Sequence, residues 1–584
     1  MQVEMLIFVR ILLFCVFFVL THSLTFDEDD GPQVKTPMGV IQGTFKKSYR
    51  NRTFAAFEGI PYAQPPVGNL RFMEPQPFVE SWNNTFFATK NYECLQFIPF
   101  TGVLGLRGEE DCLYMYVYVP REQINPNELL DVIVHIHGGG FMIGSPKLFA
   151  GPEFLMDRDV VFVSFNYRVG ILGFLSTEDE VVPGNNGLKD QSMALRWIKK
   201  NIKHFGGNPA SITITGTSAG AVSVHFHYFS RMSRGLFHRG FSQSGTALNC
   251  WALAEHPLEK AQAVAKNVSC PIYPIKRMIE CLRTVEARDL VNGIKSLFIY
   301  MNSIPFMPFT PVVEKRSKDA FLDDNPYWML KRGDVYDVPW ITSNTKDEGL
   351  FPVGIIAAMN RFQDFEDGWY QLMPHMLDIY YTVDKELHNE TLKKIKEYYF
   401  GSNPLSQNNT FSFVKLMTDR MFTVDNEKAI RMQSKAINSE LYLYLISYVV
   451  DLPHFPPGMP KGAVHADDSR LWLKVILTPK QLTQRDEKMM TFFIDFVTTY
   501  AKKGIPEFGS VTWLPVQPNS KSLNYLQISG PDAISMQEID QLGPHEFWDS
   551  LPIREGENDL QSSSVRIYGR CLISVLIAFT VWMT

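Results

Sequence analysis

A strand pattern that stops at a serine between two glycines most constrains how this chain folds. Residues 211–223 read SITITGTSAGAVS. The β-branched run around Ile212 and Ile214 favours a strand, and the small and apolar residues from Ser218 to Tyr228 favour a helix. A sharp strand-to-helix turn brings two backbones together, and glycine at positions 216 and 220 avoids the clash. The segment therefore predicts a strand, a tight turn and a helix, in that order.

Two interpretations of Ser218 follow from this turn. Residues 216–220, GTSAG, fit G-x-S-x-G, the pattern of a nucleophile elbow. In an elbow the serine has a strained backbone, and its hydroxyl lies at a helix N-terminus, where negative charge is stabilised. The alternative is a serine that caps or packs an ordinary turn. The five-residue match alone favours the alternative, because turns of small residues are common.

The rest of the chain alternates between strand-like and helix-like segments. Apolar β-rich runs lie at 132–136, 160–165, 338–342 and 441–446, and amphipathic helical patterns lie at 188–205 and 486–503. This alternation predicts a large, mostly parallel central sheet with helices on both faces, an α/β fold. The less regular region 250–335 is expected to form excursions around the mouth of a site.

A second glycine-rich element precedes the serine. His137 and glycines 138–140 directly follow the predicted strand at 132–136. Such a run lets backbone N–H groups point at one spot and, with the amide of Ala219, form an oxyanion hole. The alternative is a flexible turn. The order of the two elements favours a catalytic Ser218.

A serine nucleophile needs a base and an orienting acid, which follow in the order acid, then histidine. His465 lies in the small-residue loop GAVHADD at 462–468, and Asp347 and Glu348 follow the strand at 338–342. Spacing does not distinguish the two carboxylates. The other downstream histidines, each a surface or core residue by default, are His227, His238, His256, His375, His388, His454 and His545.

With these residues in place, the chain resembles the type-B carboxylesterase/cholinesterase family of α/β-hydrolases over roughly residues 33–550. The resemblance rests on the elbow, on Asp347–Gly349, on Gly462–His465 and on the motifs FEGIPYAQPPVG (57–68), EDCLY (110–114), HGGGF (137–141), NYRVG (166–170), GLKDQ (187–191) and FGGNP (205–209).

The resemblance implies a role for each candidate residue. Ser218 would be the nucleophile, Glu348 the acid and His465 the base. The three-glycine run leaves the register of the oxyanion donors open by one residue, and we favour the amides of Gly139 and Gly140, with that of Ala219. Trp251 falls where the family lines its acyl pocket, although it could equally be a packing tryptophan. The implied disulfides are Cys94–Cys112 and Cys270–Cys281, which leaves Cys250 as an odd, buried thiol.

Two departures from the family argue against a cholinesterase. Thr217 stands where cholinesterases carry a glutamate, and the loop between Cys94 and Cys112 has no tryptophan. A cationic alcohol would lack both a negative field and a cation–π partner. We therefore predict a serine carboxylesterase for neutral or apolar esters, with an acyl-enzyme intermediate and neither cofactor nor metal. The alternatives are a hormone or pheromone esterase resembling the juvenile hormone esterases, an interfacial lipase, and a non-catalytic binding protein on the same fold.

The two termini predict an extracellular protein. Residues 1–23 read as a signal peptide, with an uncleaved anchor as the alternative, and residues 24–555 are predicted to form one hydrolase domain. Residues 556–584 resemble a GPI-attachment signal, with a fortuitous or docked apolar tail as the alternative. A net charge of -6 argues against nucleic-acid partners. Glycosylation sequons begin at Asn51, Asn83, Asn267, Asn389 and Asn408.

Overall fold

The computed structural model describes residues 31–98, 105–453, 457–476 and 478–555. The predicted signal peptide (1–23) and the predicted GPI-attachment segment (556–584) lie outside these residues. None of the helices in the described ranges combines the length and apolar character needed to cross a membrane.

One large sheet of eleven strands organises the chain. We number its strands in chain order: β1 Thr44–Lys47, β2 Thr53–Pro61, β3 Tyr114–Val119, β4 Leu130–Ile136, β5 Val161–Phe165, β6 Gly207–Thr217, β7 Arg239–Gln243, β8 Trp340–Thr345, β9 Leu441–Ile446, β10 Leu523–Gly530 and β11 Ala533–Ile539. Across the sheet they lie in the order β11-β10-β9-β8-β7-β6-β4-β5-β3-β2-β1. Two small sheets contain Gln33–Thr36, Gly39–Gln42 and Phe86–Phe87, and Gln96–Phe97 and Leu106–Arg107.

Parallel pairing dominates the middle of the large sheet. Strands β10, β9, β8, β7, β6, β4 and β5 pair in parallel from one to the next. Antiparallel pairs close both edges, with β11 on one side and β3, β2 and β1 on the other. The prediction of a mostly parallel sheet is confirmed. The antiparallel edges were not predicted, because the N-terminal strands lack a distinct alternation of strand and helix.

Sixteen α-helices occur in the described ranges. They are α1 Pro146–Phe149, α2 Gly170–Phe174, α3 Asn186–Asn201, α4 Ala219–Phe229, α5 Pro257–Asn267, α6 Ile275–Thr284, α7 Ala287–Gly293, α8 Pro326–Arg332, α9 Leu350–Ala358, α10 Phe362–Asp367, α11 Trp369–Met376, α12 His388–Phe400, α13 Thr410–Thr418, α14 Val424–Ala436, α15 Gln484–Lys503 and α16 His545–Asp549. A π-helical turn, Asp419–Thr423, joins α13 to α14. Short 3-10 turns lie at Gly68–Leu70, Leu155–Asp157, Ile202–Phe205, Ile294–Leu297, Lys385–Leu387, Gln407–Asn409 and Ser469–Leu471.

Helices cover both faces of the sheet because β4 and its neighbours are apolar on both sides. Val132 and Val134 belong to one buried cluster, which α3 joins through Leu195. Ile133 belongs to a second cluster, which α15 joins through Phe493. Alternate residues of a strand point to opposite faces, so each face of β4 packs against its own apolar layer. The prediction of helices on both faces is confirmed.

The region 250–335 is more regular than its sequence indicated. It contains α5, α6, α7 and α8, and a disulfide joins Cys270, just after α5, to Cys281 within α6. These helices span only seven to eleven residues, and windows this short leave the periodic pattern ambiguous, so the sequence understated their extent. A second disulfide joins Cys94 to Cys112.

Candidate active site

The turn after β6 gives Ser218 its position at the carboxyl end of the parallel strands. The strand ends at Thr217, α4 begins at Ala219, and Ser218 between them has φ 59° and ψ -125°. This left-handed conformation is unfavourable for a residue with a side chain. The Ser218 side chain makes no capping hydrogen bond to α4 in the described structure. The structural alternative for Ser218, a capping serine, therefore has no geometric support.

The two glycines of the elbow are required by close backbone contacts. A Cβ on Gly216 would lie 2.2 Å from the carbonyl oxygen of Gly220, and a Cβ on Gly220 would lie 2.0 Å from that of Ile136 on β4. Both separations are far below van der Waals contact, so the backbone would have to move. The pattern G-x-S-x-G is therefore a packing requirement of this turn.

We expect Gly220→Ala to destabilise the protein by about 3 kcal/mol or more, because overpacking a buried backbone contact displaces both β4 and the elbow. Thermal unfolding of the purified variant measures this. Gly530→Ala is the control, since a Cβ there meets nothing closer than 3.7 Å and the residue has no positive φ. A Gly220→Ala protein as stable as the Gly530→Ala protein would contradict the packing argument.

Glu348 and His465 meet in a buried pair. Glu348 follows β8 and is fully buried, and its Oε2 accepts a hydrogen bond from Nδ1 of His465 at 2.6 Å. Its Oε1 accepts from the backbone N–H of Thr345 at 2.7 Å. These two bonds fix the carboxylate and direct the Nδ1–H of the imidazole, leaving the opposite ring nitrogen for chemistry.

Asp347, the neighbouring carboxylate, bonds to the backbone of the loop that carries His465 rather than to the imidazole. Its Oδ2 accepts the backbone N–H of Ala463 at 3.0 Å, and its backbone pairs with Val464 in a parallel bridge. Asp347 thus holds the loop that carries His465, and burial raises the pKa of its carboxyl. The structure pairs Glu348 with the histidine and leaves Asp347 in a supporting position, a choice that sequence spacing had left open.

The other candidate histidines lie in unrelated settings, except that His454 lies outside the described residues. His227 bonds to Ser233 and Gln191, His238 to the backbone of Ile212, His388 to that of Val383, and His545 lies 2.8 Å from Glu427. His256 and His375 stack on Tyr381 and Tyr380. Only His465, among the described candidates, pairs with a carboxylate following a central strand.

Asp468 is a second buried carboxylate near the pair formed by Glu348 and His465, and it was not predicted from the sequence. Asp468 accepts hydrogen bonds from the hydroxyls of Tyr444, at 2.6 Å, and Ser343, at 3.0 Å. Burial raises the pKa of Asp468, and the nearby charge of Glu348 raises it further. The doubled aspartate in HADD was the available signal, but its partners come from β8 and β9 and are remote in sequence.

The glycine loop packs directly on the elbow. A Cβ on Gly138 would lie 3.1 Å from Cβ of Ser218, so this loop and the serine are in contact. Gly139 and Gly140 have φ values of 114° and 61°, which favour glycine. Among the hydrogen bonds of the described residues, none uses the amide of Gly139, Gly140 or Ala219 as donor. These three amides are therefore available to a ligand.

Trp251 is buried beside the π-helical turn. Its indole N–H donates to the carbonyl oxygen of Met421 at 2.7 Å, and its ring lies 6.0 Å from that of Phe422. The ring of Phe422 in turn lies 4.8 Å from that of His465. The π turn thus brings Trp251 and the histidine to one wall. Phe422 was missed because no sequence pattern marks a π insertion.

Cys250 and the five sequons can be placed as well. Cys250 is a free cysteine, as predicted, but it is half-buried rather than fully buried; its sulfur lies 3.8 Å from that of Met421, and partial burial raises the pKa of its thiol. A thiol with a raised pKa is a poor nucleophile at neutral pH. The asparagines of the five sequons are all exposed: Asn51, Asn83, Asn267, Asn389 and Asn408.

Comparison with known proteins places the chain in one enzyme family. A model of the carboxylesterase family matches residues 30–548. Venom carboxylesterase-6 from Apis mellifera is 40% identical over 90% of this chain and 95% of its own length. Juvenile hormone esterase from Tribolium castaneum is 33% identical over 88% of this chain and 90% of its own. The crystal structure of juvenile hormone esterase from Manduca sexta, with OTFP covalently attached, has a TM-score of 0.77 at 26% identity and covers 89% of this chain and 99% of that one.

The fold and the site thus define an α/β-hydrolase. The family match covers most of the chain, and this protein belongs to the carboxylesterase family. It is a hydrolase of carboxylic esters.

Proposed function

We propose that Ser218, His465 and Glu348 form the catalytic triad of this esterase. The observation that carries the proposal is the buried 2.6 Å bond from His465 to Glu348, at the same edge of the sheet as the strained serine. His465 takes the proton of Ser218 as the hydroxyl attacks the ester carbonyl, and returns it to the leaving alcohol. The same histidine then activates water against the acyl-enzyme.

The amides of Gly139, Gly140 and Ala219 receive the oxyanion in this proposal. They lie on the loop and helix start that contact Ser218, and within the described structure they donate to no other acceptor. Donors that are already oriented stabilise the developing charge without reorganisation. Glu348 stabilises the imidazolium and keeps its orientation.

We infer that the preferred substrates are neutral or apolar esters. The wall beside His465 is apolar and contains Phe422, Trp251 and Met421. Thr217, next to the nucleophile, is buried, and its hydroxyl has no hydrogen-bond partner among the described residues. No charge at this position would attract a cationic alcohol. A panel of esters that varies acyl length and alcohol charge tests this inference, and a marked preference for choline esters would contradict it.

We expect Thr217→Glu to raise the preference for a cationic ester severalfold, because a carboxylate a few ångströms from a quaternary ammonium contributes about 1 kcal/mol or more. The measurement compares kcat/KM for acetylcholine with that for its neutral isostere, 3,3-dimethylbutyl acetate. Thr217→Gln has the same size without the charge and should leave the ratio near the wild-type value. If both variants shift the ratio equally, size rather than charge is responsible.

A hormone esterase remains the second candidate within this class. The observation that favours it is the likeness to the juvenile hormone esterases of Tribolium castaneum and Manduca sexta. A kcat/KM for juvenile hormone far above that for generic aryl esters would establish it, and the reverse would favour a general carboxylesterase.

We further propose that the protein is secreted, glycosylated and attached to the cell surface by a GPI anchor. The signal-like N-terminus, the exposed sequons and the sequence of residues 556–584 support this. Treatment of expressing cells with a phosphatidylinositol-specific phospholipase should release esterase activity. Retention of all activity on the cells would exclude the anchor.

A further inference from the structure

A cavity of about 90 Å³ extends from the apolar wall of the site. At its near end lie Trp251, Met421 and Met307. Met307 packs against the oxyanion loop, since a Cβ on Gly140 would lie 2.9 Å from its Cγ. The near end of the cavity therefore borders the groups proposed to act on the ester.

The far end of the same cavity is polar. Lys260, His375 and Asp378 line it, together with Tyr380, Tyr381 and Glu255. Burial lowers the pKa of Lys260 and raises the pKa of Asp378 to about 6. Burial also lowers the pKa of His375 to about 4, so this imidazole is neutral at pH 7. Lys260, His375 and Asp378 are half-buried, so this end of the cavity is a poor environment for a purely apolar chain.

The two opposite charges at this end do not satisfy each other. In the described part of the chain, neither the ammonium of Lys260 nor the carboxylate of Asp378 makes a side-chain hydrogen bond or an ion pair. Both side chains line the same cavity, and each affects the pKa of the other through space. Both side chains are half-buried, and a hydroxyl placed between them would give each a hydrogen-bond partner within the cavity.

The position of Asp378 is held firmly. Arg420, from the π turn, donates to the carbonyl oxygens of Leu377 at 2.8 Å and of Asp378 at 3.3 Å. Asp378 itself has φ 53°, a conformation that persists only when its surroundings fix it. On the opposite side, the ammonium of Lys260 lies 5.7 Å from the centroid of the Tyr381 ring. The far end is therefore an ordered polar site.

We propose that this end recognises a hydroxyl group on the acyl chain of the ester, with Lys260 and Asp378 as specificity-determining residues. A hydroxyl donates to the carboxylate and accepts from the ammonium, so it satisfies both groups at once. A cationic end meets Lys260 and an anionic end meets Asp378, and a methyl group leaves both unsatisfied. The proposal rests on the function proposed above, because it takes Ser218 as the reacting group.

The test compares straight-chain p-nitrophenyl esters of six to twelve carbons with a methyl, hydroxyl or ammonium group at the far end. We expect the hydroxyl ester to exceed the methyl ester in kcat/KM by about tenfold at one chain length, because one hydrogen bond to a charged group is worth that much. Equal constants at every length, or a preference for the ammonium ester, would overturn the proposal.

Two variants assign the preference to its residues. Lys260→Met keeps the aliphatic stem, and Asp378→Asn suits the positive φ; each should reduce the hydroxyl preference to about threefold or less. Lys266→Met on the same helix and Asp319→Asn, both exposed, are the matched controls and should retain it. A preference unchanged in both cavity variants contradicts the assignment. Wild-type hydrolysis of the methyl esters, lost in Ser218→Ala, reports on the proposed function separately.

Discussion

Ser218→Ala should lower kcat for a small chromogenic ester by about 10⁵-fold or more, because removal of a triad nucleophile eliminates the covalent route. Labelling by an organophosphate should disappear as well. The loss should come without unfolding, since alanine at 218 keeps the backbone of the turn and Ser218 makes no capping bond there. Circular dichroism and thermal unfolding of the variant check this.

Ser223→Ala is a suitable control for that experiment. Ser223 lies one turn further along α4, is buried, and donates to the carbonyl oxygen of Ala219. Its loss should leave the organophosphate label in place and the activity within about threefold, a barrier change below 1 kcal/mol. Retained hydrolysis or labelling in Ser218→Ala would refute the nucleophile and favour a binding protein on this fold.

Glu348→Gln should lower kcat by about 10³- to 10⁴-fold with little change in KM. An amide in place of the carboxylate does not stabilise the imidazolium, and its NH₂ group competes for Nδ1 of His465. The loss appears in the transition state rather than in substrate binding, and steady-state kinetics separates the two. Because Glu348 is fully buried, thermal unfolding of the variant must accompany the rate.

Asp347→Asn is the matched control for Glu348→Gln. Asp347 is the adjacent carboxylate and accepts a backbone N–H from Ala463, not a proton from His465. The amide oxygen of asparagine can accept the same bond, so the rate should fall by less than about tenfold, which corresponds to 1.4 kcal/mol. Equal losses in the two variants would mean that the loop, rather than the His465–Glu348 pair, governs the rate.

Much of the fold was predictable because its signals are local. The strand observed at Leu441–Ile446 coincides with the predicted run, and the helix Gln484–Lys503 begins two residues before its predicted start. A buried parallel strand reads as a continuous apolar run, and an amphipathic helix has its own period. The edge strands β1 and β11 are short or partly polar and provide no comparable signal.

The residues of the candidate site likewise fall into those with a local sequence signal and those that depend on distant partners. Ser218 and its flanking glycines were recognisable from the sequence, because the contacts that require Gly216 and Gly220 lie within a few residues of the serine or on the adjacent strand. Asp347 and Glu348 are neighbours in sequence, and the structure is needed to distinguish them. Asp347 accepts the backbone N–H of Ala463, whereas Glu348 accepts that of Thr345 and keeps its other oxygen for His465. Asp468 and Phe422 depend on partners from distant segments, so a local pattern such as the doubled aspartate in HADD could not assign their positions in the site.

The π turn Asp419–Thr423 contacts three parts of the protein at once, so a substitution in the turn affects all three. Arg420 holds the backbone of Asp378, the carbonyl of Met421 holds Trp251, and Phe422 lies against His465. Deletion of one residue would restore a regular helix and rotate every later side chain by about 100°. A change of acyl selectivity through substitutions in this turn would therefore disturb His465, the proposed base. Lineages that change substrate are expected to vary cavity residues outside this turn and away from the glycine loop, such as Leu297 and Phe306, where selectivity can diverge while the chemistry is preserved.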